Sequence, residues 1–121
     1  MDKPVIMVVD DQSFVCDVIK KILESKYVVK PFTSGKTAVD YLSKQPVDLA
    51  LLDYDMPNMT GFEVLMAIRS NKRTADMPVI FVTGILNERL EAEMMERGAT
   101  DYIRKPVQPT ELHRCIEKYL N

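Results

Sequence analysis

Five short apolar runs alternate along the chain with segments in which apolar residues recur every three or four positions, and turn formers or charges separate the two patterns. Apolar runs this short, without polar alternation, read as strands buried on both faces, as in the middle of a parallel sheet. The three-to-four spacing reads as helices with one buried stripe. The central run, Val47 to Asp53, is the most informative, because it ends on an acid and opens at once into a Met56-Pro57-Asn58 loop that leads to Gly61. The first run, Pro4 to Val9, ends on Asp10-Asp11. The second, Tyr27 to Phe32, contains Pro31, which cannot donate a ladder hydrogen bond and so belongs at a sheet edge. Pro78 to Val82 delivers Thr83-Gly84, and Ala99 to Arg104 is broken by Lys105-Pro106.

Helices fill the intervals. Ser13 is the expected N-cap of the first, whose stripe is Phe14, Val15, Val18, Ile19, Ile22 and Leu23, with Lys20, Lys21 and Glu24 left for water. Ser34-Gly35 turns the chain into a short helix carrying Ala38, Val39 and Leu42, which stops before Pro46. A third helix carries Phe62, Leu65, Met66 and Ile68 and gives way to a polar connection, Arg69 to Asp76. The fourth, about Asn87 to Arg97, sets Leu90, Met94 and Met95 against Glu88, Glu91 and Glu96, with Gly98 as its C-terminal cap. Thr110 to Leu120 closes the chain on a Leu112, Ile116, Tyr119 and Leu120 stripe, and His113 lies off that stripe, as a surface residue would.

Strict alternation of strand and helix with short connections specifies an α/β fold, a five-stranded parallel sheet doubly wound with five helices. With the Pro31 strand at an edge, the order is 2-1-3-4-5, the flavodoxin-like arrangement. Its topological switch point lies between strands 1 and 3, and ligands of such sheets bind at the carboxyl ends there. Those ends carry Asp10-Asp11 and Asp53.

Composition narrows the class. At 121 residues and 46% hydrophobic content, residues 1–121 suffice for one domain with its own core, without metal or disulfide staples. A net charge of -2 offers no basic footprint for DNA or RNA. No apolar run is long enough to span a bilayer, and Met1-Asp2-Lys3-Pro4 lacks a signal peptide's apolar region, so the expected location is the cytoplasm. Cys16 and Cys115 have no metal-ligand spacing and are expected to be reduced thiols inside helices.

The strand ends thus assemble Asp10, Asp11, Asp53, Thr83 and Lys105 on one rim. Carboxylates about 4 Å apart repel by about 1 kcal/mol per pair in water and roughly 4 at an effective dielectric of 20. Either one acid keeps its proton or a cation sits among them, and an all-oxygen site with few protein ligands suits Mg2+. A carboxylate beside such a metal can act as a nucleophile toward phosphorus, and Asp53, at the end of the central strand, is best placed to do so. Lys105 and Thr83 could then each support a phosphoryl oxygen.

Asp10-Asp11, Asp53-Tyr54-Asp55-Met56-Pro57, Thr83-Gly84, Gly98-Ala99-Thr100-Asp101-Tyr102 and Lys105-Pro106 occur in the order found in receiver domains of two-component response regulators. The chain resembles that family, including its stand-alone chemotaxis-type members, over essentially its whole length. The resemblance implies that Asp53 takes a phosphoryl group from a phosphohistidine on a sensor histidine kinase or a phosphotransfer protein. It also implies direct Mg2+ ligation by Asp11, Asp53 and the Asp55 backbone carbonyl, with Asp10 acting through water. Thr83, Gly84 and Lys105 would bind phosphate, and Thr83 and Tyr102 would switch the surface of helix 4, strand 5 and helix 5 that an effector protein or fused effector domain reads. A cis Lys105-Pro106 bond is expected, and a homodimer through the same face is compatible with the family. The Asp55 side chain, at a variable position of the family, would tune the lifetime of the phosphorylated state. A competing resemblance is to haloacid-dehalogenase-like phosphatases, in which Asp53 would be the nucleophile and Asp55 the general acid/base. That family's nucleophile belongs on a first strand, however, with metal-binding acids after the lysine and a cap over the substrate.

Overall fold

The computed structural model describes residues 2–120; residues 1 and 121 of the expected domain lie outside the described residues. Strands β1 (Val5–Val9), β2 (Val28–Phe32), β3 (Leu49–Asp53), β4 (Val79–Thr83) and β5 (Asp101–Arg104) alternate with helices α1 (Ser13–Leu23), α2 (Gly35–Leu42), α3 (Gly61–Ser70), α4 (Glu88–Glu96) and α5 (Pro109–Tyr119). All strand pairs are parallel and the sheet order is β2-β1-β3-β4-β5. Pro31 does lie on the edge strand.

The unbroken apolar character of the inner strands follows from two cores, one on each face. Met7, Val9, Ala50, Leu52, Val79 and Phe81 point to the side covered by α2, α3 and α4. The alternate residues Ile6, Val8, Leu49, Leu51, Ile80 and Val82 point to the side covered by α1 and α5. A strand with a core on each face has no position to spare for water, so period-two polarity vanishes.

Several local expectations change. Ser13 is the first helical residue rather than the N-cap; Gln12 holds that place without a side-chain cap, and its amide donates instead to the Asp10 carboxylate (2.9 Å). The apolar stripe of α1 is wider than the face it buries. Cys16, Ile19 and Leu23 are in the core, whereas Phe14 and Val18 are exposed, at 70% and 41%. Met66 on α3 and Met95 on α4 are likewise outside the core. His113 is half-buried, not on the surface, and sits at the C-terminal end of α1, its Nε2 3.1 Å from the Ile22 carbonyl oxygen. Gly98 does end α4, at a positive φ of 109°, while Arg69 donates to the Gly98, Ala75 and Met77 carbonyls and so ties α3 to the turn that leads into β5. Both cysteines are buried and unpaired.

Candidate functional site

The register of the sheet builds the site. Val9 pairs with Leu52, Asp53 with Val82, and Thr83 with Arg104, so Asp10, Asp53, Thr83 and Lys105 fall on one rim. The Asp10 amide donates to the Phe32 carbonyl and the Lys105 amide to the Thr83 carbonyl, which carries the ladder to the edge of the site. Asp10, Asp53 and Thr83 are buried, and Asp11 is exposed at the mouth.

Lys105 is the cation of this cluster. Its Nζ lies 2.7 Å from Asp10 Oδ2 and 3.3 Å from Asp53 Oδ1. Burial works against the ammonium, but its hydrogen bond and attraction to Asp10, helped by Asp53, outweigh that and hold its pKa above the ordinary lysine value. Asp53 moves the other way from a usual carboxylate. Burial and the nearby Asp10 charge raise its pKa to about 6, against the pull of Lys105. The Lys105-Pro106 peptide is cis.

Asp10, Asp11 and Asp53 each offer a carboxylate oxygen, all within 4.8 Å of one another. On one octahedral Mg2+, cis oxygens lie about 3 Å apart and trans oxygens about 4.2 Å, so the cluster is of the right order of size and would contract somewhat around such an ion. The charge fits as well. Three ionised carboxylates against the single Lys105 ammonium leave two negative charges, which one divalent cation offsets.

Thr83 is one strand away from Asp53, and its hydroxyl is occupied. It accepts from the Ile85 amide (3.1 Å) and donates to the Ile85 carbonyl (3.2 Å), folding the start of the β4–α4 connection back on itself. Gly84 is exposed, and a Cβ there would meet nothing within 4 Å. Tyr102 is half-buried on β5 and its hydroxyl donates to the Glu91 carboxylate of α4. Asp55 is exposed on the loop after β3.

Gly61 is a site residue that periodicity did not flag. A Cβ added there would overlap the Asp53 carbonyl oxygen and approach the Phe81 ring to 2.8 Å, so α3 starts hard against the end of β3 only because this residue has none. The Gly61 amide also donates to the Tyr54 carbonyl (3.1 Å). Gly61→Ala is therefore expected to cost about 1–3 kcal/mol in overpacking. Because it displaces the backbone that carries Asp53, it should also disturb the geometry of the acid cluster while circular dichroism stays native-like.

Comparison with known proteins gives a consistent result. A family model described as response regulator receiver domain matches residues 6–117. A protein of Vibrio cholerae serotype O1 named probable cyclic di-GMP phosphodiesterase is 42% identical over 115 residues, which are 95% of this chain but only 26% of that relative's length. The V. cholerae chemotaxis protein CheY4 has a TM-score of 0.93 at 26% identity, covering 98% of this chain and 99% of its own. The receiver domain of the sensor histidine kinase PA1611 from Pseudomonas aeruginosa PAO1, solved with a magnesium ion coordinated in its active site cleft, has a TM-score of 0.88 at 26% identity, covering 97% of both chains.

Proposed function

Since the chain belongs to the response regulator receiver domain family, we propose that it is a phosphorylation-dependent switch in which Asp53 accepts a phosphoryl group from a phosphohistidine on a sensor kinase or phosphotransfer protein. The observation that carries this reading is the buried Asp53 carboxylate set between a lysine ammonium at 3.3 Å and a cluster of acids of divalent-ion size. With a pKa of about 6, Asp53 is ionised at neutral pH and yet more basic than an ordinary carboxylate, which suits a nucleophile. In the transfer, an Asp53 oxygen bonds to phosphorus as the bond to the donor histidine nitrogen breaks, and that electron pair returns to the imidazole. Lys105 supports one phosphoryl oxygen. Thr83 supports another once its hydroxyl leaves the Ile85 backbone. Asp11, Asp53 and the Asp55 carbonyl would hold Mg2+, with Asp10 acting through water; when bound, the ion supplies positive charge against both the carboxylates and the phosphoryl oxygens. The Asp55 side chain, exposed beside this site, would tune the lifetime of the phosphorylated state.

The phosphodonor needs a surface next to Asp53, and the exposed part of α1 supplies a candidate. Phe14, Val15 and Val18 line an apolar groove with Pro106 and Val107, and Lys105 is also on its lining. An apolar helix that presents a phosphohistidine would suit this groove, which shares Lys105 with the acid cluster. Phe14→Glu should therefore cut transfer from a phosphorylated phosphotransfer domain by about tenfold or more, while uptake from acetyl phosphate, which needs no docking, stays unchanged. No helix among the described residues is long and apolar enough to cross a membrane, and we place the switch in the cytoplasm. Output would pass through α4, β5 and α5 to an effector protein or a fused domain.

Intact mass during incubation with acetyl phosphate, with and without Mg2+, tests the reading. The expected result is a metal-dependent gain of one phosphoryl group that decays slowly. Sustained turnover of a phosphate ester such as p-nitrophenyl phosphate would instead indicate the phosphatase reading, for which Asp53 and Asp55 are the residues at stake. The order of the acids counts against that reading, since Asp10 and Asp11 on β1 precede the nucleophile on β3.

A further inference from the structure

Glu91 belongs, by its spacing, with the water-facing side of α4, but it is half-buried and its carboxylate accepts the hydrogen of the Tyr102 hydroxyl. It lies in the first turn of that helix, just after the Asn87 cap whose side chain takes the Leu90 amide (2.9 Å). A carboxylate is favoured there by the positive end of the helix dipole. The Tyr102 ring packs against the core beneath α4, next to Phe81 on the neighbouring strand. On its other side, the Tyr102 amide donates to the Asp101 carboxylate, which also takes the Tyr119 hydroxyl of α5 (2.7 Å). The backbone of Tyr102 is thus fixed toward α5, while its hydroxyl is fixed toward α4, among the described residues, by the Glu91 side chain.

We propose that Glu91 is a positioning residue for the switch: it holds the Tyr102 hydroxyl on α4 and so sets how much of the protein occupies the switched state before any phosphoryl group arrives. The proposal rests on the reading of Tyr102 as the aromatic switch. Its logic is that of differential contacts. Inward rotation of the ring carries the hydroxyl away from Glu91, so the bond counts in only one of the two states and biases the equilibrium against the other. Whatever biases the resting state also changes, by the same factor, the affinity for a phosphoryl mimic that favours the switched one. Thr83, tied to the Ile85 backbone at the start of the same connection, is held on the α4 side in a parallel way. Both candidate switch residues are therefore retained by the segment that leads into α4 or by α4 itself.

The test is a titration of the full chain with beryllofluoride at fixed Mg2+, following the aromatic NMR signals of residue 102 and the backbone amide signals of the site, for wild type, Glu91→Gln, Glu91→Ala, Tyr102→Phe and the Glu91→Ala/Tyr102→Phe double variant. A half-buried hydrogen bond to a charged acceptor predicts that Glu91→Ala lowers the half-saturating concentration by about five- to tenfold. Glu91→Gln, which keeps an acceptor without its charge, should fall between it and wild type. In Tyr102→Phe, where the hydroxyl is already gone, adding Glu91→Ala should change nothing further, a non-additivity that a general loosening of α4 would not produce. Equal or weaker binding by Glu91→Ala, with wild type binding normally and its Tyr102 signals shifting, overturns the proposal and leaves the receiver reading intact. Wild type that takes up no beryllofluoride, or whose Tyr102 signals stay still when it does, removes the reading on which the proposal rests, and the proposal with it.

Discussion

Asp53→Asn is expected to take up no phosphoryl group from any donor and, in the absence of Mg2+, to be more stable at pH 7 than the wild type. The loss of uptake is a matter of chemistry, since an amide is no nucleophile toward phosphorus. The gain in stability comes from the carboxylate's surroundings. Burial and Asp10 raise the Asp53 pKa from 3.8 to about 6. A carboxyl group whose folded pKa exceeds its unfolded one contributes stability that is fully present below the unfolded value and is lost as pH rises through the folded one. For the metal-free wild type this means stability that declines from about pH 4 to about pH 6 and levels off above that. Asparagine does not ionise, so the decline should be shallower in the variant, and the two proteins should differ by about 3 kcal/mol at pH 7 and converge near pH 4. Denaturant titrations at several pH values in chelator would show it. A site in which a buried carboxylate costs stability is one shaped for charge chemistry rather than for holding the fold together.

Lys105→Met is expected to act in the opposite direction on stability and in the same direction on function. Removing the ammonium leaves Asp10, Asp11 and Asp53 with no cation, and breaking a buried pair from one side costs about 3 kcal/mol in the metal-free protein at pH 7. The deficit should shrink on acidification as Asp53, whose pKa is already raised to about 6, takes up a proton. It should also shrink on addition of Mg2+, because a ligand that binds only the folded state stabilises it by mass action. Phosphoryl uptake from acetyl phosphate should nevertheless stay about 100-fold slower even in saturating Mg2+, since one of the three phosphoryl oxygens has lost its positively charged donor. A variant restored in stability and not in rate separates the two roles of the lysine.

How much of this was legible from the residues differs by element. The strands were plain, because burial on both faces leaves each inner strand apolar throughout, and Pro31 was enough to put β2 at the edge and so to set the sheet order. The rim of Asp10, Asp53, Thr83 and Lys105 followed from strand ends, which is where parallel register makes sequence predictive of space. The helices were less transparent. Helical spacing marked Phe14 and Val18 as part of the α1 stripe but could not say that the stripe overran the core, since a periodic pattern gives the direction of a side chain and not what lies opposite it. Glu91 was assigned to water for the same reason. An acid opposite an apolar stripe looks solvated until a neighbouring strand brings a hydroxyl to it. The cap of α1 was missed because Asp10, an acid of the site, takes the Gln12 amide and leaves Ser13 without that task. Gly61 was visible only as a loop glycine. Its requirement comes from the backbone of β3, which no local pattern contains.

The central claim is that one particular carboxylate, that of Asp53, carries the phosphoryl group. The most direct measurement is to phosphorylate the full chain with acetyl phosphate and Mg2+, reduce the product with borohydride, and map the digest by mass spectrometry, because reduction converts a phosphorylated aspartate to homoserine at the residue that held the phosphate. The account predicts homoserine at position 53 and unaltered aspartate at positions 10, 11 and 55. Homoserine at any of those other positions with Asp53 intact would contradict it.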